Sequence, residues 1–372
     1  MKTRSVGVIG GGQLARMMIA PATELAIDLK VFAESEASPA AMAATVIGDY
    51  TNFESVLAFA KSVDVITFDH EHVPLTVVKG LEAAGISVQP NAHALNFAQN
   101  KLEMRHALSV LGVPCPNWAK IEGAATLDEF IKANGGAAVV KTAMGGYDGK
   151  GVRVVRSSQE VLDWLSLGKP LLAEQKVEFT RELAQLVARN VDGQIAVWPV
   201  VQTIQREGVC AEVHSPAPNA NLQAAEVIAR AIAEGLGVTG VLAVEMFETA
   251  DGRLLVNELA MRPHNSGHFS IEGSVTSQFE QHLRAVSNLP LGSTEATAKH
   301  AVMLNLLGVD DNNTFVEHFE KAMTLAPEAR IHVYGKAARK GRKMGHVTAT
   351  SNGTLGDALA IARAAANALL QG

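Results

Sequence analysis

The sequence predicts a chain that starts as α/β and continues as α+β. Three observations carry this. Short apolar runs alternate with amphipathic segments from residue 5 to about 90. From about 101, strand-like runs follow one another with few helices between them. From about 295, a small unit begins with a strand-like run and closes on an alanine-rich helix. The first pattern is that of an open parallel sheet with right-handed crossovers. The second is that of a mainly antiparallel sheet.

The elements read in order as follows. "SVGVI" is a strand, "GQLARMMIAPATELA" a helix, "DLKVFA" a strand and "TNFESVLAFAKS" a helix. "VDVITFD" is a strand, "PLTVVKGLEAAG" a helix and "ISVQP" a last short strand. "NKLEMRHALSVLG" is helical until the two prolines of "VPCP" break it. "AAVVKTA", "GVRVV" and "PLLAEQKV" are strands, with a short helix near "SQEVLDWLS". "RELAQLVARN" and "IAVWPVVQTIQ" are joined by the Asp192-Gly193 turn. Residues 220–238 form an amphipathic helix ending at glycine, and the strands "GVLAVEMFET" and "RLLVNELAM" follow. "HAVMLNLLG" opens the closing unit.

Composition sets the class. The 372 residues leave room for two or three domains, each with its own core. Apolar residues make up 48% and charged ones 19%, an ordinary globular balance, and the net charge of −6 offers no general attraction to nucleic acid or anionic membrane. Cys115 and Cys210 are the only cysteines and have no metal-ligand spacing, so they read as buried thiols in a reducing compartment. No run reaches the ~18 to 20 apolar residues of a membrane span. "VGVI" is too short for a signal peptide, so a cytoplasmic protein is expected.

Gly10-x-Gly12-x-x-Ala15 follows the first strand and passes for a dinucleotide-binding fingerprint, with Glu34 after the second strand. Read alone, it fits NAD as well as any other phosphate ligand. His70 and His72 flank Glu71 at the end of "VDVITFD" without the spacing of a metal site.

The middle region says more. Asp251-Gly252 is a two-residue hairpin signal, and a type I′ turn there places Glu245 directly opposite Glu258. Two carboxylates about 5 Å apart repel, and a shared cation relieves that. Hard oxygen ligands suit a Mg²⁺ also held by substrate phosphates, and Asn257 adds a neutral oxygen. The competing reading is two solvated glutamates on an open face; the apolar flanking strands argue instead for a cleft. Upstream, Gly145, Gly146, Gly149 and Gly151 surround Tyr147 and Asp148 between two strands. Such a loop can lay backbone N–H groups on phosphate, with Lys141 and Lys150 adding charge. A glycine-rich hairpin with no ligand is the alternative.

At this point the chain resembles a known family. "GGGQLARM", "GGYDGKG", "AEQKVEFTRELA", "VEMF", "NELAMRPHNSGH" and "YGKAARKGRKMGH" are similar to the N5-carboxyaminoimidazole ribonucleotide synthetases, the ATP-grasp carboxylating enzymes of bacterial and fungal purine synthesis. The likeness runs over almost the whole chain. It implies a Rossmann-like N-terminal domain (1–100) and an ATP-grasp domain (101–290) with a flexible lid at about 115–177. A small C-terminal domain (291–372) completes the substrate site. The resemblance also implies that Lys101 and Lys141 contact ATP phosphates and that Gly146, Tyr147, Asp148, Gly149, Lys150, Gly151 and Val152 close over them. Glu174, Gln175, Lys176 and Val177 run past adenine, and Glu182 accepts from the ribose. Glu245 and Glu258, beside Asn257, bind Mg²⁺. Gln205 stands where some members have histidine, and a neutral donor there can serve in its place.

For the substrate, 5-aminoimidazole ribonucleotide, the resemblance implies a site between the N-terminal domain and the basic string. Gly12 and Gln13 lie near it, Glu71 meets its ribose or amine, and Lys336 and Arg342 hold its phosphate. By composition alone "KAARKGRK" reads first as a solvated basic loop. Bicarbonate would attack the γ-phosphate to give carboxyphosphate and ADP, and the exocyclic amine would capture the activated carbon. Arg262, with Asn265 and Ser266, would stabilise carboxyphosphate. Tyr147 and Asp148 would touch substrate and exclude water, and Asp148 is the candidate for the amine proton. A homodimer is typical of the resemblance. Three other readings remain: an ATP-grasp ligase for formate or an amino acid, an NAD-dependent oxidoreductase, and a non-catalytic nucleotide-binding module.

Overall fold

The computed structural model describes residues 4–145, 151–206, 208–309 and 315–371. It holds three sheets, and their strands follow one another along the chain. The first contains β1 (Ser5–Ile9), β2 (Asp28–Ala33), β3 (Ala44–Ile47) and β4 (Val65–Phe68), all parallel, in the order β3-β2-β1-β4. Val6, Val8, Ile9, Val31, Phe32, Ile66 and Phe68 are buried because helices cover both faces, so these strands read as continuous apolar runs.

Two details differ from expectation. β3 was not foreseen: four residues beside alanines carry no periodic signal. The run 86–90 yields only a bridge from Val88 to Ile66, and Pro90 has no N–H with which to extend a ladder. Because β1 lies between β2 and β4, the order in which strands are added reverses there. The Gly10–Gln13 loop and the Asp69–His72 segment therefore open into one crevice at the carboxyl ends of the strands.

The second sheet contains β5 (Trp118–Ile121), β6 (Ala138–Thr142), β7 (Val152–Val155) and β8 (Leu171–Gln175), antiparallel in the order β5-β8-β6-β7. The helix Ala124–Ala133 buries Leu127 and Ile131 against Ile121, Val140 and Leu171, which gives this sheet a core of its own.

The third sheet is the largest. It comprises β9 (Arg181–Arg189), β10 (Ile195–Val197), β11 (Val201–Arg206), β12 (Val209–Ser215), β13 (Gly240–Glu248), β14 (Leu254–Ala260), β15 (His300–Leu307), β16 (Arg330–Val333) and β17 (Lys343–Ser351). Its order is β14-β13-β9-β11-β12-β15-β17-β16, with β10 paired to β9. Pro199 divides the single strand expected over 195–205 into β10 and β11. The C-terminal strands do not form a separate layer; β15 pairs with β12, so they continue the central sheet. The helix Leu222–Gly235, capped by Asn221 accepting from the Ala224 N–H at 3.1 Å, packs Ile228 and Ile232 into a core shared with Leu183, Val187 and Leu242. No helix among the described residues is long and apolar enough to cross a membrane.

Candidate active site

The facing carboxylates come first. Glu245 pairs with Glu258 across β13 and β14, as the hairpin arithmetic required, but the route differs. The connection is not a two-residue type I′ turn. Thr249 and Arg253 close a three-residue loop, with the Gly252 N–H donating to the Thr249 carbonyl and only Gly252 at positive φ. That shifts the register by one, and a bulge beyond Met246–Val256 shifts it back. The bulge brings both Asn257 and Glu258 to the cleft.

Cations line the same floor. The helix Lys101–Val110 places Lys101 and Arg105 one turn apart, hence on one face. Lys101 bonds the Glu258 carboxylate. Lys141, on β6, lies 2.6 Å from one Glu174 oxygen and donates to Asn257 Oδ1 at 3.1 Å. Arg105, fully buried, bonds the other Glu174 oxygen and donates to the Asn257 carbonyl at 2.6 Å. Burial pushes the Glu174 carboxyl up, but Arg105 and Lys141 together outweigh it and hold it below the usual range.

Glu245 is the opposite case. Burial, then the charge of Glu258, then that of Glu182 push its carboxyl up to about 7, and Lys343 and Lys141 offset this only in part. His264 Nε2 lies 3.5 Å from it. Burial, with Arg262 and Lys343 nearby, drives His264 down to about 3, so the ring is neutral. Burial also raises Glu182, while Gln205 bonds its carboxylate and pulls the other way.

On the far side lies the crevice of the parallel sheet. Asp69 is buried and accepts from the Ala15 N–H at 2.7 Å, inside the first turn of the helix Gln13–Glu24. A Cβ on Gly12 would land on the Asp69 carboxylate, so the glycine serves this close approach. Glu34 accepts from the Gly11 N–H at 3.0 Å and faces His70 Nε2 at 3.0 Å. The His70 bond, with that of Gly11, holds Glu34 down at about 2 despite its burial. The acid that a dinucleotide site would offer to a ribose is thus engaged by the protein, and the NAD reading finds no support in this loop. His70 Nδ1 also accepts from the His72 N–H, so both its ring nitrogens are occupied.

Glu71 accepts from the Met261 N–H at 2.6 Å and stands 3.4 Å from Arg262. This ties the parallel sheet to the end of β14 and leaves less of Glu71 for a ribose or amine than expected. Arg262 donates to the Pro263 carbonyl at 3.1 Å, while its buried Nε has no partner among the described residues. Asn265 is exchanged with Asn305 in a mutual amide pair, and Ser266 Oγ lies 2.9 Å from His264 Nδ1. Both are buried. As placed, they hold the loop and the imidazole rather than standing open as donors.

Lys336 donates to Gln13 Oε1 at 2.6 Å from 323 residues away in sequence, with its ammonium 5.5 Å over the Tyr334 ring. Arg342 is not drawn into this pair; its guanidinium donates to the Ala337 carbonyl at 3.0 Å. Gly146, Tyr147, Asp148, Gly149 and Lys150 lie outside the described residues. Gly151, at positive φ, accepts from the Thr142 N–H, and Val152 begins β7. Gln175 ends β8 with its N–H on the Asn117 carbonyl, and Lys176 and Val177 leave the strand beyond it.

Several site residues escape the sequence reading. Arg105 carried a signal, its four-residue spacing from Lys101. His264 and His268 lie within "RPHNSGH", the string from which the resemblance points to Arg262, Asn265 and Ser266. Asp69, Gln278 and Asn305 have no local signal at all, because only the tertiary fold brings them here.

Comparison with known proteins agrees along the chain. Residues 1–99 match the ribonucleotide synthetase preATP-grasp domain, 106–279 the ATP-grasp domain and 301–355 the phosphoribosylaminoimidazole carboxylase C-terminal domain. The chain is similar to the N5-carboxyaminoimidazole ribonucleotide synthase of Mycobacterium tuberculosis, at 47% identity over 353 residues covering 92% of this chain and 82% of that one. It is similar in structure to the carboxyaminoimidazole ribonucleotide synthase of Aspergillus clavatus complexed with ATP (33% identity, TM-score 0.89, 99% of this chain and 98% of that one). The same holds for the N5-carboxyaminoimidazole synthase of that organism in complex with ADP and 5-aminoimidazole ribonucleotide (32% identity, TM-score 0.89, 99% and 98%).

Proposed function

The chain belongs to the N5-carboxyaminoimidazole ribonucleotide synthase family of ATP-grasp ligases, and from that membership we propose how its residues divide the reaction. The enzyme carboxylates 5-aminoimidazole ribonucleotide with ATP, a step of purine synthesis. Bicarbonate is the carbon source in our reading, and one observation carries the nucleotide side of it. Glu245 and Glu258 face each other on the floor of a cleft that Lys101 and Lys141 also line, with Arg105 buried behind them on Glu174.

That pair fits a divalent cation. Lys343 and Lys141 offset only part of the burial and of the charges of Glu258 and Glu182, so the Glu245 carboxyl is held up at about 7. Among the described residues no three His, Cys, Asp or Glu side chains gather as a metal site. The two glutamates therefore need further oxygen ligands, which a triphosphate supplies. Mg²⁺ held by Glu245, Glu258 and the Asn257 amide oxygen would neutralise phosphate charge there.

The chain's own residues do the rest. Lys101 and Lys141 bind the phosphates, and Glu174 fixes Lys141 and Arg105 so that neither collapses onto the metal carboxylates. A bicarbonate oxygen attacks the γ-phosphorus as the bond to the β-phosphate oxygen breaks, giving carboxyphosphate and ADP. Arg262 receives the carboxyphosphate oxygens: its Nε is a buried donor with no partner among the described residues, an arrangement that favours an anion. His264, neutral and oriented by Ser266, turns Nε2 toward the same space. The exocyclic amine of the ribotide then bonds to the carbon, phosphate leaves, and the amine proton passes to a base for which Asp148 is our candidate. Lys336 and Gln13 mark the ribotide phosphate end.

ADP formation measured with bicarbonate and ribotide each omitted in turn tests this. Dependence on both is expected. Release of ADP without ribotide or bicarbonate would turn the reading toward a nucleotide-binding module or another ATP-grasp ligase.

A further inference from the structure

His268 lies at the heart of the "RPHNSGH" loop, fully buried, and packs its ring against Phe279, Tyr334 and His346. Two side-chain amides meet its nitrogens, and one of them cannot turn over. Gln278 accepts from the His264 N–H through Oε1 at 2.8 Å and donates through Nε2 to the His264 carbonyl at 2.8 Å. Both ends of this amide are therefore pinned to one residue's backbone. Its Nε2 also lies 2.8 Å from His268 Nδ1. An amide nitrogen only donates, so Nδ1 accepts and the imidazole carries its proton on Nε2. Burial keeps the ring neutral.

The Nε2–H then faces Gln13. Lys336, which also only donates, lies 2.6 Å from Gln13 Oε1 and fixes that atom as the oxygen. The Gln13 NH₂ is left 3.4 Å from His268 Nε2, and two donors oppose each other. The conflict lasts only while Lys336 holds the Gln13 oxygen.

We propose that His268 is a positioning residue for the ribotide. Locked as its Nε2–H tautomer by Gln278, it turns the Gln13 carboxamide over once Lys336 moves to the ribotide phosphate. The Gln13 oxygen then accepts from His268, and its NH₂ points at the substrate. This rests on the reading of Gln13 and Lys336 as ribotide ligands.

Steady-state kinetics test it. His268→Leu should raise the ribotide KM ~5- to 10-fold, the worth of one hydrogen bond, with the ATP KM unmoved. His268→Gln, whose amide reaches the place of Nε2, should restore most of that loss. The double variant Gln13→Leu/His268→Leu should be no worse than Gln13→Leu alone, because His268 acts through Gln13. Multiplying effects, or an unmoved ribotide KM in a folded His268→Leu, would overturn the proposal. Should that variant fail to fold, long-range ¹H–¹⁵N spectra of the wild-type imidazole decide: a proton on Nε2 is expected, and one on Nδ1 sinks the idea. If Gln13→Leu and Lys336→Ala also leave the ribotide KM unchanged, the ribotide site itself is misplaced. If they raise it while His268→Leu does not, only this inference fails.

Discussion

Glu174 and Glu245 are carboxylates of one cleft whose pKa values are pushed in opposite directions, Glu174 down and Glu245 up to about 7, and the difference is the company each keeps. Glu174 has two cations on its oxygens and stays charged. Replacing it by Gln leaves Arg105 buried without its counter-charge. We expect a loss of ~3 kcal/mol or more in urea unfolding, together with a raised ATP KM as Lys141 drifts. Glu245 binds its proton more tightly in the folded chain than in the unfolded one. Its contribution is therefore fully present below about pH 4.5 and is lost as pH rises through about 7. The nucleotide-free protein should thus lose stability relative to Glu245→Gln between those values. The difference between their melting temperatures across that range measures it, and a constant difference would refute the assignment. At this scale the hairpin signal pointed to the facing glutamates and the glycine-rich loop to Lys141, while Lys101 came from the family resemblance. Glu71, Asn265 and Ser266 were expected to offer open hydrogen-bonding groups to substrate. Only the fold shows those groups bonded to Met261, Asn305 and His264.

At the scale of elements, the β13–β14 hairpin reached its expected register through two departures that cancel. The loop is one residue longer than a type I′ turn, and the bulge at Asn257 restores the count. Dipeptide turn signals locate a hairpin but do not fix its loop length, and a bulge leaves no mark in an apolar run. Deleting Ala250 shortens the loop while keeping the Thr249–Arg253 closing pair. ADP formation should stay within about twofold, since the ladder beyond that pair does not change. Deleting Asn257 straightens β14 and removes the oxygens that bind Lys141 and Arg105. The ATP KM should rise ~10-fold or more, as expected for the loss of two hydrogen bonds to charged groups. Comparable kinetics for the two deletions would show that the bulge is not what builds the floor. The parallel sheet was legible because its strands are buried on both faces, whereas β3 was not, being four residues of ordinary composition.

At the scale of the whole molecule, the closing unit was expected as a small piece packed against the others. It shares a sheet with them instead. Strand pairing between segments a hundred residues apart has no signature in either one, and alternation in "HAVMLNLLG" says only that a strand is there. Arg363, on the C-terminal helix Leu355–Gln371, reaches Glu212 of β12, a second tie across the same seam. A chain ending near residue 295 would expose the β12 edge along four pairing positions. We expect it to sediment as aggregate rather than as a stable ATP-binding fragment; a soluble, cooperatively melting truncation would disprove this.

Glu258 and Arg262 lie four positions apart on a single strand end, whose start is paired in the sheet and whose Met261 is moored to Glu71. In the proposed roles, the span from the metal carboxylate to the guanidinium that receives carboxyphosphate is consequently a covalent ruler, at most ~14 Å between Cα atoms. Domains around it can breathe without changing its span.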